Sequence, residues 1–212
     1  MFIPEIYNQK DPDAIAAFIA ANPFGILCVN GNFGPEAVHI PFLQSPEDPG
    51  LLISHFAFDN PIAQTLADNP DVLLIFQGGS AYISPTWYNH VNVPTYNYRA
   101  VHVRGQVKLI HNNARLLEIL DAQIKQFENE NSGYSLAGLP ADMIEDHLPG
   151  IIGIELTVKS IEAAWKLSQN RDAESYGNIV NELGKCPHSR SVADAMKEQR
   201  PAEFRPGENQ GG

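Results

Sequence analysis

The chain has 212 residues, with 14 Lys and Arg against 25 Asp and Glu, a formal net charge of −11. An apolar fraction of 43% with 18% charged residues describes a globular chain that buries most of its surface without disulfide or metal staples. The acid excess argues against a grip on nucleic acid through net charge alone, without excluding a local basic patch, and direct DNA binding is doubtful.

Asp11 followed by Pro12 predicts a helix start, an N-cap with proline at the first helical position. Ile15, Phe18 and Ile19 follow at helical spacing, and Asn22-Pro23 ends the element. Residues 25–30 (GILCVN) and 35–42 (PEAVHIPF) flank the turn GNFG and predict a β-hairpin. Residues 51–56 predict a third strand. Asn60-Pro61 repeats the helix-start signal, for a short helix through Ala67. Residues 72–77 and 81–84 read as two strands around Gly78-Gly79, and 85–95 as an irregular loop. Residues 96–110 alternate clearly, with Val101, Val103, Val107 and Leu109 on one face. Asn112 caps a helix whose stripe is Leu116, Leu117, Leu120, Ile124 and Phe127. A short helix is expected near Met143. Residues 151–167 return to strand, as two strands bent near Lys159-Ser160. Residues 173–183 and 192–197 can be helical, and residues 201–212 read as a flexible tail. Short connections between many strands predict a mainly β (α+β), largely antiparallel barrel with peripheral helices.

No run approaches the roughly 20 apolar residues of a membrane helix. The N-terminus lacks the basic and apolar regions of a secretory signal. Cys28 and Cys186 form no metal spacing and no disulfide framework. A cytoplasmic protein with reduced thiols is expected.

The densest constellation is residues 75–98, IFQGGSAYISPTWYNHVNVPTYNY, with one Phe, four Tyr and one Trp among hydrogen-bonding side chains. A planar heteroaromatic ligand would stack on Trp87, Tyr88 or Tyr96. Gln77 and Ser84 supply placed polar groups, and Gly78-Gly79 lets backbone approach closely. The same composition suits a loop over a barrel mouth or a dimer interface. Ser54 and His55, at a strand end before the Asn60 helix start, compose an anion site through the free N–H groups of that helix. The plainer reading is that Asn60 only caps its own helix. Lys166, Ser168, Gln169 and Arg171 lie in the run KLSQNR, where two cations flank hydrogen-bonding side chains, as for an anionic ligand or an ion-pair cluster. His39, His102 and His111 raise a metal or haem reading without ligand spacing to support it, and no metal site is expected. No catalytic residue is identified.

The blocks MFIPEIY, NPFGILCVN, HIPF, SHFAFDNP, VLLIFQGGSAYISPTWY, VPTYNYRAVHVRG and WKLSQNR resemble the PaiB-type family of FMN-binding, negative-transcriptional-regulator-like proteins, from Met1 to about Leu183. The resemblance implies an FMN-binding split β-barrel over residues 1–200 with a C-terminal helical extension. It also implies a homodimer with the flavin at the subunit interface. The function implied is a flavin-dependent sensory or negative regulatory protein. The alternative is a flavin-dependent oxidoreductase related to pyridoxamine-phosphate oxidases and flavin reductases. FMN is the expected cofactor, with haem as the alternative. The cofactor-binding set expected is Ser54, His55, Asn60, Gln77, Ser84, Trp87, Tyr88, Tyr96, Lys166, Ser168, Gln169 and Arg171. One departure stands out. In the wider split-barrel group the segment after the third strand supplies Arg or Lys to the FMN phosphate, and residues 54–66 (SHFAFDNPIAQTL) contain neither. Arg99, Lys166 and Arg171 are the candidates to replace them.

Overall fold

The computed structural model describes residues 1–128 and 131–200; the tail expected at 201–212 lies outside the described residues. Strands and helices follow in the order β1 (Asn8–Gln9), α1 (Pro12–Ala21), β2 (Phe24–Gly31), β3 (Gly34–Pro41), β4 (Leu43–Gln44), β5 (Leu51–Ala57), α2 (Ile62–Asp68), β6 (Asp71–Ile83) and β7 (Thr95–Ile110). Then come α3 (Asn113–Phe127), α4 (Ala141–His147), β8 (Ile151–Lys166), α5 (Ala173–Gly184) and α6 (Arg190–Gln199). The strands form one sheet in the order β3-β2-β6-β7-β8-β5-β4, with β1 paired to β8. The pairings of β2 with β3, β2 with β6, β4 with β5, and β5 with β8 are antiparallel. The mainly antiparallel α+β architecture read from the sequence is observed.

Local chemistry accounts for several boundaries. Asp11 accepts the Asp13 amide at 3.0 Å and starts α1, and Asn112 accepts the Arg115 amide at 3.0 Å and starts α3. The hairpin register closes at Gly31 opposite Gly34, and Gly34 has φ +129°, which glycine adopts without a Cβ penalty.

The chain divides into two compact units. The first comprises Asp11–Phe76 and Val101–Glu162. In it, one cluster packs Leu116 and Ile119 of α3 against Ile53, Ile110 and Leu148. Arg115 fastens α3 to β8 by donating from Nε to Glu155 at 2.7 Å, and it also meets Glu118 and Glu47. The α3 stripe differs from expectation at its end. Phe127 is exposed, while Ile119 and Gln123 are buried. Gln123 turns inward because its amide has partners there, His55 and the Pro41 carbonyl.

The second unit comprises Met1–Lys10, Gln77–Ala100 and the chain from Ala163. Its core joins Ala81, Ile83, Tyr88 and Leu167 to the apolar faces of α5 and α6. Two expected breaks are absent. Residues 71–83 form one strand through Gly78-Gly79, and 151–166 form one strand through Lys159-Ser160. Gly79 is where α6 comes close, since a Cβ there would lie 2.3 Å from Ser191 Oγ. The close approach expected of a ligand at this glycine is made by the protein's own helix.

Candidate functional site

The expected site residues fall into both units. In the first unit, Ser54 is fully buried on β5 and its hydroxyl donates to the Pro41 carbonyl at 2.6 Å. Gln123 donates to the same carbonyl at 3.4 Å, and its Oε1 lies 2.5 Å from His55 Nδ1. With Gln123 Nε2 committed to the Pro41 carbonyl, Gln123 Oε1 accepts a hydrogen bond from His55 Nδ1. Asn60 Oδ1 accepts the Ile62 amide at 3.2 Å, just ahead of Pro61 at the cap position of α2. Ser54 Oγ and Asn60 Oδ1 are thus directed to the protein's own backbone.

In the second unit, alternation along the strands sorts the side chains. Ala81 and Ile83 enter the core beneath α5 and α6, so Tyr82 between them faces the opposite way and is 49% exposed. On β7, Asn97 is fully buried and Tyr96 beside it is 56% exposed. The two tyrosine rings meet edge to face, centroids 5.8 Å apart at 73°. They make an aromatic platform on the open side of the sheet. Tyr82 lies outside the set of candidate site residues read from the sequence. Gln77 is exposed on β6. Ser84 accepts the Thr86 amide at 3.2 Å and opens a 3₁₀ turn at Pro85–Trp87. Trp87 is half-buried against the α5–α6 core.

Tyr88 is placed differently from expectation. One face of its ring carries the Arg171 guanidinium, 4.4 Å from the centroid. His90 stacks on the ring with centroids 5.9 Å apart at 18°. Neighbours on the ring leave its hydroxyl as the group with chemistry to offer. That hydroxyl is buried and has no hydrogen-bond partner, and the same holds for Arg171 Nε.

The run from Lys166 to Arg171 is a closed turn. Ser168 has φ 61° and exchanges hydrogen bonds with the buried Asn97 amide at 3.0 and 3.1 Å. Gln169 accepts the Leu167 amide at 2.7 Å and donates to the Trp165 carbonyl. Arg200 donates to the Gln169 and Arg171 carbonyls at 2.7 and 2.8 Å. Lys166 donates to Thr95 Oγ1. Arg99 faces Glu198 at 3.8 Å and lies over Trp165, with burial depressing its guanidinium pKa. Of the three cations proposed as replacements, Arg171 alone has no protein oxygen partner for its side chain among the described residues.

Among the described residues no group of three or more His, Cys, Asp and Glu side chains could hold a metal ion. His39 lies on β3, His102 on β7 and His111 just after β7. A groove of about 310 Å³ in the first unit is lined by Ser45, Ile53, Ala122 and the charged residues Arg115, Glu118 and Lys125. Its charges pair with one another or with Asp121, so it offers no free recognition group. No helix among the described residues is long and apolar enough to cross a membrane. The second unit thus carries two exposed tyrosine rings meeting at 73° on one face of its sheet and, against Tyr88 of the α5–α6 core, a half-buried Arg171 without a side-chain oxygen acceptor among the described residues; aromatic surface and an unpaired cation are both groups that ligand sites use.

Comparison with known proteins agrees with that chemistry. The family described as "Putative FMN-binding domain" matches residues 1–160. "Protease synthase and sporulation protein PAI 2" of Bacillus subtilis is 34% identical over 203 residues, covering 94% of this chain and 98% of its own. Among solved structures, the flavocytochrome Anf3 of Azotobacter vinelandii superposes with a TM-score of 0.61 at 18% identity, covering 81% of this chain and 75% of its own. The FAD- and haem-binding protein of Mycobacterium smegmatis gives a TM-score of 0.61 at 14% identity, covering 76% and 73%. The shared fold is the flavin-binding split barrel.

Proposed function

The chain belongs to the FMN-binding domain family, and from that premise we propose that it is a flavin-dependent sensory or negative regulatory protein of PaiB type whose ligand lies in the second unit. The observation that carries the reading is the family match over residues 1–160, joined by 34% identity to the Bacillus protein over 94% of the chain. FMN is the cofactor and supplies redox chemistry of its own when bound.

The chain's residues bind and orient it. Tyr82 and Tyr96, both about half exposed, offer aromatic surface to an isoalloxazine ring. Gln77, Ser84 and Lys166 supply polar groups at the margin. Ser168 and Gln169 hold the turn that presents Arg171. Ser54 and Asn60 stabilise the first unit, and His55 is oriented by Gln123. The exposed Val91 and Val93, with the two tyrosines, give a second copy of the chain an apolar surface to cover, and the protein works as a cytoplasmic homodimer. With a net charge of −11, direct DNA binding is the weakest route to regulation.

Steady-state oxidation of NADH and NADPH by the FMN-loaded protein tests the role. Absence of sustained turnover is the result expected of a sensor. Turnover above about 1 s⁻¹, within the ordinary range of enzymes, would replace this reading with a flavin-dependent oxidoreductase.

A further inference from the structure

Asn97 is fully buried on β7, and a buried amide is unfavourable unless its polar atoms are paired. Here they are paired on both sides. Nδ2 donates to Ser168 Oγ at 3.0 Å and to Met196 Sδ at 3.4 Å, and Oδ1 accepts from Ser168 Oγ at 3.1 Å.

The partners continue into a closed circuit within the second unit. Met196 of α6 offers its carbonyl to the Tyr176 hydroxyl of α5 at 2.7 Å. The Tyr176 ring carries the Arg200 guanidinium, 4.1 Å from its centroid. Arg200 donates to the Gln169 and Arg171 carbonyls, in the turn that contains Ser168. Ser168 returns the circuit to Asn97. The other members all lie beyond residues 1–160, the part that matches the family. Asn97 is the member that belongs to the matched domain.

Strand alternation links this buried side to the exposed one. Asn97 turns toward α6, so Tyr96 beside it faces the other way. Ala81 and Ile83 pack beneath the same helices, so Tyr82 between them also faces out. The two rings thus stand on strand segments whose inner face is seated on α5 and α6. An apolar side chain at position 97 would avoid the desolvation cost but fix no single seat, whereas a paired amide accepts one arrangement.

We infer that Asn97 is a positioning residue for the ligand surface: through it the C-terminal helices fix the segment of β7 that sets the Tyr96 ring against Tyr82. That this surface serves a flavin rests on the proposed function; the positioning itself does not.

Fluorine NMR of the full chain labelled with fluorotyrosine reads the ring directly, with the Tyr96 signal assigned by its loss in Tyr96→Phe. Asn97→Ala should shift that signal and weaken FMN binding about 3- to 10-fold, the scale of a neutral hydrogen bond. Met196→Leu conserves volume in the core and removes the sulfur partner of the amide. It should shift the signal in the same direction by less, and it decides the matter if Asn97→Ala does not fold. Val180→Ala opens a cavity in the same core from α5. It should lower Tm while leaving the Tyr96 signal in place. A signal unmoved by both Asn97→Ala and Met196→Leu, or moved equally by Val180→Ala, would overturn the assignment. If wild type takes up no FMN, the flavin reading fails, and the fluorine signal still decides the role of Asn97.

Discussion

Ser168 shows how a residue that looks like a ligand donor serves the fold. It sits in the left-handed region at φ 61° and holds the buried Asn97 amide. Ser168→Ala should cost about 1–3 kcal/mol by leaving that amide unpaired. Ser168→Gly loses the same bond but relieves a left-handed penalty of about 1 kcal/mol, so it should be the more stable variant. Urea denaturation of the two proteins checks the order, and Ala above Gly would refute it. Asp172 makes a prediction in pH. Hydrogen bonds from Ser175 hold its carboxyl below the usual aspartate range. Its contribution to stability is therefore present above the unfolded-state value and is lost as pH falls through the lower folded value. Asp172→Asn keeps a good cap and should show a shallower fall in Tm between pH 5 and 3 (roughly the span in which aspartate titrates) than wild type. An identical acid limb would contradict the assignment. The sequence showed Ser168 and Gln169 as polar groups in the run KLSQNR and Tyr88 among the aromatic residues of 75–98. It could not show that Ser168 bonds Asn97 on β7 or that Arg171 lies against Tyr88, because those contacts join residues far apart in the chain.

Elements governed by neighbours in sequence were legible, and elements governed by distant packing were less so. The caps at Asp11 and Asn112 and the Gly31–Gly34 hairpin are local, and each appears where the residues indicate. Gly78-Gly79 reads as a strand break because glycine is a poor strand residue, yet β6 runs through it, since α6 places Ser191 against Gly79. Tyr82 faces outward by simple alternation. Its value as a platform appears only when β7 brings Tyr96 to it. Two glycines separate strict from forgiving contacts. A Cβ on Gly105 would stand 2.3 Å from the Thr157 carbonyl oxygen, a backbone atom that must move with its strand. On Gly79 it would meet Ser191 Oγ at 2.3 Å, a side-chain atom that can rotate away. Gly105→Ala should lose about 3 kcal/mol or more and Gly79→Ala about 1 kcal/mol, the upper and lower ends of overpacking costs. Chemical denaturation of both measures the difference, and equal losses would contradict it.

At the scale of the whole molecule, the chain has a split-barrel fold, and the proposed ligand site lies in the second unit. The mainly antiparallel α+β architecture was legible from the many strands, and the split barrel only through the family resemblance. The division into two units was not, because β6, β7 and β8 each run through both. The exposed Tyr82, Val91, Val93 and Tyr96 lead us to expect a sedimentation mass near twice 23.3 kDa, whereas the mass of a single chain at high protein concentration would remove the second copy from the proposal. The central claim is flavin binding. The most direct measurement is the absorbance spectrum of the purified chain after incubation with FMN and removal of the excess by gel filtration. The account predicts oxidised-flavin bands that elute with the protein and are lost progressively in a Tyr82→Ala, Tyr96→Ala double variant. A protein that emerges colourless, or one that takes up haem and shows a Soret band in place of flavin, would contradict it.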